Sequence, residues 1–85
     1  MNLATSSTEL GQAIRTNRLV RGLTLSEMAL TIGCQRQTLA DLEAGKNVGI
    51  HLVFAALAIL DKGLLVADKR PELERLKEMF DDAEN

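Results

Sequence analysis

Gln35, Arg36, Gln37 and Thr38 stand next to one another, and Asp41 follows one helical turn on. These side chains are equipped to read base edges. An Arg guanidinium forks onto the acceptors of guanine, a Gln amide pairs with adenine, and a Thr side chain bonds a base or touches a thymine methyl. Asp41 has three readings: it accepts from cytosine, it repels phosphate and so excludes wrong sequences, or it joins an ion pair on the helix surface. A helix beginning at these residues would also aim its positive end at phosphate. Arg15, Thr24, Ser26, Lys46 and Asn47 are candidate backbone contacts, which position a duplex without specifying its sequence.

Residues of this kind act only if a rigid body holds them out, and the punctuation of the chain supplies one. Ser6-Ser7-Thr8-Glu9 has the form of a capping box, with Ser6 as the N-cap. Its helix is expected to bury Leu10, Ala13 and Ile14 and to stop at Gly22, which suits a left-handed C-cap. Thr24-Leu25-Ser26-Glu27 repeats the box, and its helix carries Met28, Ala29 and Ile32 as far as Gly33. Gly33-Cys34-Gln35 makes a tight turn. A third helix runs from about Arg36 to Glu43, with Leu39 and Leu42 inward, and ends at Gly45. Two short helices joined in this way form a helix-turn-helix, whose second helix enters the major groove.

Lys46 to Gly49 is a loop, and a fourth helix spans about Ile50 to Leu60. Ile50, Val53, Phe54, Leu57 and Ala58 fall on one stripe, while Leu52, Ala55, Ala56 and Ile59 make the other side apolar too. A helix apolar all round is normally buried all round. A domain this small buries one only with difficulty, so a partner surface is implied. Leu64-Leu65-Val66-Ala67 is short and β-like, and a lone strand leaves its backbone groups unpaired. Pairing with the same strand of a second copy remedies that; the alternative is that the segment finishes the fourth helix or packs as coil. Leu64, Leu65, Val66, Leu52 and Ile59 are therefore the candidate dimer contacts. Pro71 suits the first turn of a last helix reaching about Asp81, with Leu73, Leu76, Met79 and Phe80 on a thin stripe. The expected division is residues 1–62 as the DNA-binding unit, 63–70 as a dimerisation strand and 71–85 as an acidic tail or helix.

Composition bounds the alternatives. The chain has 85 residues and a net charge of -2, which argues against DNA until its distribution is read. Residues 1–70 hold eight Lys and Arg against six Asp and Glu, whereas residues 71–85 hold two against six. A mildly basic body thus carries an acidic tail, and such a body meets phosphate if its cations share a face. With no Trp or Tyr and two Phe, the chain lacks a stacking platform for single-stranded nucleic acid. One Cys and one His make neither an internal disulfide nor a zinc site, so no metal or cofactor is expected. Cys34 is expected to pack in the core and His51 to lie at the surface or an interface. No Ser-His-Asp or Cys-His arrangement is complete, so an enzyme is not expected. Met1 to Ser7 is too polar and short for a signal peptide, and Leu52 to Leu60 reaches about half a membrane span. The expected setting is the cytoplasm, at the nucleoid when bound to DNA.

Leu10 to Leu60 resembles the phage repressor and Cro type of helix-turn-helix domain, the XRE family. The resemblance rests on Leu10, Ile14 and Arg18, on Gly22-Leu23-Thr24 and Glu27-Met28-Ala29, on Gly33 through Leu39, on Leu42-Glu43-Ala44-Gly45, and on Leu57 and Leu60. It covers roughly 50 of the 85 residues. It implies an all-α, lambda-repressor-like fold of four to five helices, with a short C-terminal strand pairing across a homodimer. It also implies that Arg18 and Glu43 form a structural ion pair. There are two departures. The family commonly has Gln just after the second helix's cap, where this chain has Leu25, so that positioning contact falls to Thr24 or Ser26. The family's usual Ser or Thr cap on the recognition helix is Gln35 here.

The short strand after Leu60 is similar to that of the HipB group of antitoxins. The resemblance implies a repressor of its own operon, a near-palindromic double-stranded operator, and a HipA-type kinase toxin as partner. A RelE-type ribonuclease toxin fits the same residues. Two other readings stay open: a stand-alone phage-type or metabolic regulator with no toxin, and a protein-interaction module that keeps the fold without DNA binding.

Overall fold

The computed structural model describes residues 3–68, which form four helices: α1 (Ser7–Val20), α2 (Leu25–Ile32), α3 (Arg36–Glu43) and α4 (Ile50–Ile59). The last helix expected after Pro71 lies outside the described residues. Local chemistry accounts for the boundaries. The Ser6 hydroxyl accepts the Glu9 amide at 3.1 Å and starts α1. The return half of that box is displaced by one residue, because the Glu9 carboxylate takes the Thr5 amide at 2.9 Å instead of that of Ser6. The box on α2 is complete: Thr24 Oγ1 accepts the Glu27 amide at 3.1 Å, and Glu27 Oε1 accepts the Thr24 amide at 3.2 Å. A cap of this kind stabilises a helix by about 1 kcal/mol.

The turn between α2 and α3 needs a residue that tolerates positive φ. Gly33 supplies it at +87°, and the Ala29 carbonyl accepts both the Gly33 and the Cys34 amides, at 2.8 and 3.0 Å. α3 packs against α1 and α2, and α2 also packs against α4. Ile14, Met28, Leu39 and Leu60 are the largest side chains wholly enclosed, one from each helix or its cap. Leu42, Ala29, Ala56 and Leu57 complete the core, and Cys34 packs against it from the turn.

Two inward faces differ from those expected. On α1, Ala13 is exposed and Gly11 is buried. A Cβ at Gly11 would sit 2.4 Å from the Leu42 carbonyl oxygen and 2.6 Å from that of Glu43. The helices therefore approach backbone to backbone, and an alanine that looks like a core residue is turned to solvent. On α4, the stripe expected through Ile50, Val53, Phe54, Leu57 and Ala58 is rotated. Ala56, Leu57 and Leu60 are buried, while Ile50, Phe54 and Ala58 are exposed. Leu52 and Ile59 pack half-buried against the core, which leaves only their outer parts to a second copy.

α4 stops sharply. Asp61 takes the left-handed region at φ +54°, and the Lys62 amide bonds the Leu57 carbonyl at 2.8 Å. Leu64 to Ala67 therefore does not finish α4. The segment has no regular structure in the single chain, and it leaves Leu65 82% and Val66 99% exposed. Among the described residues the chain is all-helical, and none of their helices is long and apolar enough to cross a membrane.

Candidate nucleic-acid interface

α3 is eight residues long and is anchored by one face. Leu39 and Leu42 fasten it to the core, so Gln35, Arg36 and Gln37 are exposed, with Thr38 and Asp41 half-buried beside them. Gln35 is the N-cap of α3, and its exposed side chain makes no capping bond. Arg36 is exposed at the mouth of an open cleft, and among the described residues its guanidinium bonds no other side chain.

The far end of α3 is held by charge. Arg18 of α1 donates from Nε to Glu43 Oε2 at 2.7 Å and from Nη2 to Glu43 Oε1 at 3.0 Å. Its Nη1 donates to the Leu23 carbonyl at 2.8 Å. Arg18 is 6% exposed and Glu43 9%, so the bidentate pair is shielded from water. This one side chain joins α1, the α1–α2 connection and the last residue of α3. Its role is positional: it fixes the helix whose other end carries the candidate base-reading residues.

The candidate phosphate contacts fall into separate places. Thr24 and Ser26 line an open cleft together with Arg36, Leu25 and the Gly22-Leu23 turn. This brings the start of α2 and the start of α3 to one surface. Thr24 Oγ1 is occupied as an acceptor by its own cap, yet its hydroxyl proton remains available to an anion. Leu25 leans half-buried against the core, and it offers no polar atom where an amide is usual in the resembled family. Lys46 and Asn47 are exposed at the edge of a smaller cleft beyond α3, closed by Leu42, Val48 and Val53. Arg15 is exposed on α1 and lines neither cleft.

Sequence reasoning did not name the partners in three contacts. Arg21 donates from Nη2 to the Leu60 carbonyl at 2.6 Å and ties the end of α1 to the cap of α4. No local signal announces a contact across 39 positions. Gln37 Nε2 donates to Asp41 Oδ1 at 2.9 Å, and Lys46 Nζ approaches the same oxygen at 3.6 Å. The first of these was legible from i, i+4 spacing on a helix. Of the three readings of Asp41, the free chain thus adopts the surface pairing. No group of three or more His, Cys, Asp or Glu among the described residues is placed to hold a metal ion.

The architecture is similar to that of known structures. A complex of HipB with an O4 20-mer aligns at 27% identity and a TM-score of 0.75, over 82% of this chain and 100% of the other. HipB in a HipA–HipB–O2–O3 complex aligns at 27% identity and a TM-score of 0.74, over 82% of this chain and 100% of that one. No protein-family model and no curated protein matches the sequence.

Proposed function

We propose that this chain, which is HipB-like in its helix-turn-helix architecture, is a sequence-specific DNA-binding repressor and the antitoxin of a toxin–antitoxin operon. The observation that carries the reading is the state of α3. Its apolar side is locked into the core, its far end is clamped by Arg18, and Gln35, Arg36 and Gln37 are left outward with acceptors and donors to offer. The similar structures include a complex of HipB with an O4 20-mer and a HipA–HipB–O2–O3 complex. By that likeness the partners are a double-stranded operator and a HipA-type toxin. The chain acts as a regulator in the cytoplasm rather than as an enzyme.

In this reading Gln35, Arg36, Gln37 and Thr38 meet base edges, with Asp41 beside them on the same reading face. Thr24, Ser26, Lys46, Asn47 and Arg15 meet phosphate. Two copies bind as a dimer, each reading one half-site, with half-site centres roughly 34 Å apart on a near-palindrome. Support for the dimer comes from surface that a lone chain leaves apolar: Ile50 and Phe54 on α4, then Leu64, Leu65 and Val66 beyond it. Residues 63–70 serve as the strand that pairs between copies, residues 1–62 as the DNA-binding unit and residues 71–85 as the acidic segment.

The test is to purify the tagged chain from its own host and weigh what comes with it. A stoichiometric partner of kinase or nuclease size, together with binding to DNA upstream of the chain's own gene, is the expected result. A clean homodimer that retains affinity for that DNA would replace the antitoxin reading with a stand-alone repressor. Loss of both would leave a protein-interaction module.

A further inference from the structure

We propose that Asp41 is a positioning residue that sets which base Gln37 reads, and that it competes with phosphate for Lys46 at the same time. The inference rests on the DNA-binding reading above. Its basis is the geometry on the outer face of α3. Gln37 Nε2 donates to Asp41 Oδ1 at 2.9 Å, and Lys46 Nζ lies 3.6 Å from that oxygen. The carboxylate is about one-third exposed, 31%, while the lysine is far more open at 68%.

An unheld glutamine is an ambiguous reader. Its amide can present one donor and one acceptor, which is the fork that matches adenine, or it can turn both N–H groups toward the two acceptors of guanine. Asp41 removes that freedom. A carboxylate only accepts, so the nitrogen end of the amide must be the end that faces it. One N–H is then committed to the protein. The remaining N–H and the oxygen Oε1 form the adenine fork, and guanine would have to be met with a single donor. Holding the amide also removes the rotamer freedom it would otherwise lose on binding. Gln37 and Asp41 sit at i, i+4 on a helix whose inner face is locked into the core, so the pair is carried to the duplex as a unit.

The carboxylate has a second effect of opposite sign. Near a duplex it repels phosphate and occupies Lys46, which weakens binding to any sequence. Asp41 therefore gives up general affinity for discrimination. The two effects separate by chemistry: an asparagine keeps an oxygen acceptor for Gln37 but has no charge to hold Lys46.

The experiment uses the full chain and 20-base-pair duplexes taken first from the DNA upstream of its own gene and then from a randomised library. A Gln37→Ala variant locates the base position whose preference depends on Gln37. Anisotropy titrations then compare adenine with guanine at that position. The wild type is expected to favour adenine by about tenfold, the scale of one bidentate contact. Asp41→Ala is expected to shrink that ratio to about twofold or less, while binding to random DNA rises and its log–log salt slope steepens by about one phosphate. Asp41→Asn is expected to retain most of the adenine preference yet show the steeper slope. In the Gln37→Ala background, Asp41→Ala should leave the base ratio unchanged. Circular dichroism melts confirm that each variant is folded.

An unchanged adenine-to-guanine ratio in Asp41→Ala overturns the proposal and leaves the DNA-binding reading intact. So does a change of ratio when Gln37 is already absent, since Asp41 would then touch the base itself. A wild type that prefers no duplex over random DNA overturns both readings together.

Discussion

Replacing Glu43 with Ala strikes the clamp that orients the recognition helix. In the native chain the Arg18 guanidinium makes two bonds to Glu43, at 2.7 and 3.0 Å, and one to the Leu23 carbonyl at 2.8 Å. The substitution leaves a cation that is 6% exposed with a single protein acceptor. Removing one partner of a buried pair costs about 3–5 kcal/mol, because the other charge stays desolvated. At about 0.05–0.15 kcal/mol per residue, a chain of 85 residues has roughly 4–13 kcal/mol of stability in total. The change therefore removes between a quarter of that stability and all of it. The melting temperature is expected to fall by at least about 12 °C, taking about 4 °C or more for each kcal/mol in a domain of this size. With no Trp or Tyr in the chain, far-ultraviolet circular dichroism with heat or urea is the assay. Glu43→Gln keeps an oxygen for one of the two bonds and should lose about half as much. Arg18→Met combined with Glu43→Leu, which removes both charges, should recover most of the loss. A loss of under about 1 kcal/mol for Glu43→Ala would refute the reasoning, since that is how an exposed surface pair behaves.

Gly11→Ala places a Cβ 2.4 Å from the Leu42 carbonyl oxygen, so α1 and α3 must part, and urea denaturation should show a loss of about 1–3 kcal/mol. Leu65→Pro removes a strand donor from an exposed residue, so sedimentation should show the dimer weakened while the helical melt of the body is kept; a tight dimer that survives contradicts the paired strand. Arg36→Ala should cost about 1–3 kcal/mol and relax preference at one base position, with equal losses on specific and random duplexes counting against base reading.

Where a signal is local, the sequence announces it. Ser6, Thr24 and Gly33 mark helix ends because caps act within a few residues, and each stands where its chemistry placed it. Leu39 and Leu42 point inward because α3 is amphipathic, which in turn leaves Gln35, Arg36 and Gln37 outside. α4 shows the opposite case. An apolar residue at almost every position supplies no phase, so the sequence could not tell Phe54 from Leu57, and packing against α2 settled it. Ala13 and Gly11 were exchanged for a related reason. Hydrophobicity ranks Ala above Gly, but the close approach of α1 to the end of α3 is decided by the absence of a Cβ. In the candidate site, residue types were legible and so was the i, i+4 spacing of Gln37 and Asp41, whereas the bond from Arg21 to the Leu60 carbonyl had no local signal. Asp41 was visible as a carboxylate on the helix, and only its 2.9 Å contact turns it toward Gln37.

If α3 reads sequence in duplex DNA, one titration will show it. The full chain is titrated by anisotropy into a labelled duplex from the DNA upstream of its own gene and into a shuffled duplex of the same composition, across a range of salt. Binding to the first is expected to be at least about a thousandfold tighter than to the second at physiological salt. Both affinities are expected to fall steeply and linearly in log–log form as salt rises. Equal affinity for the two duplexes, or binding indifferent to salt, would contradict sequence reading by α3.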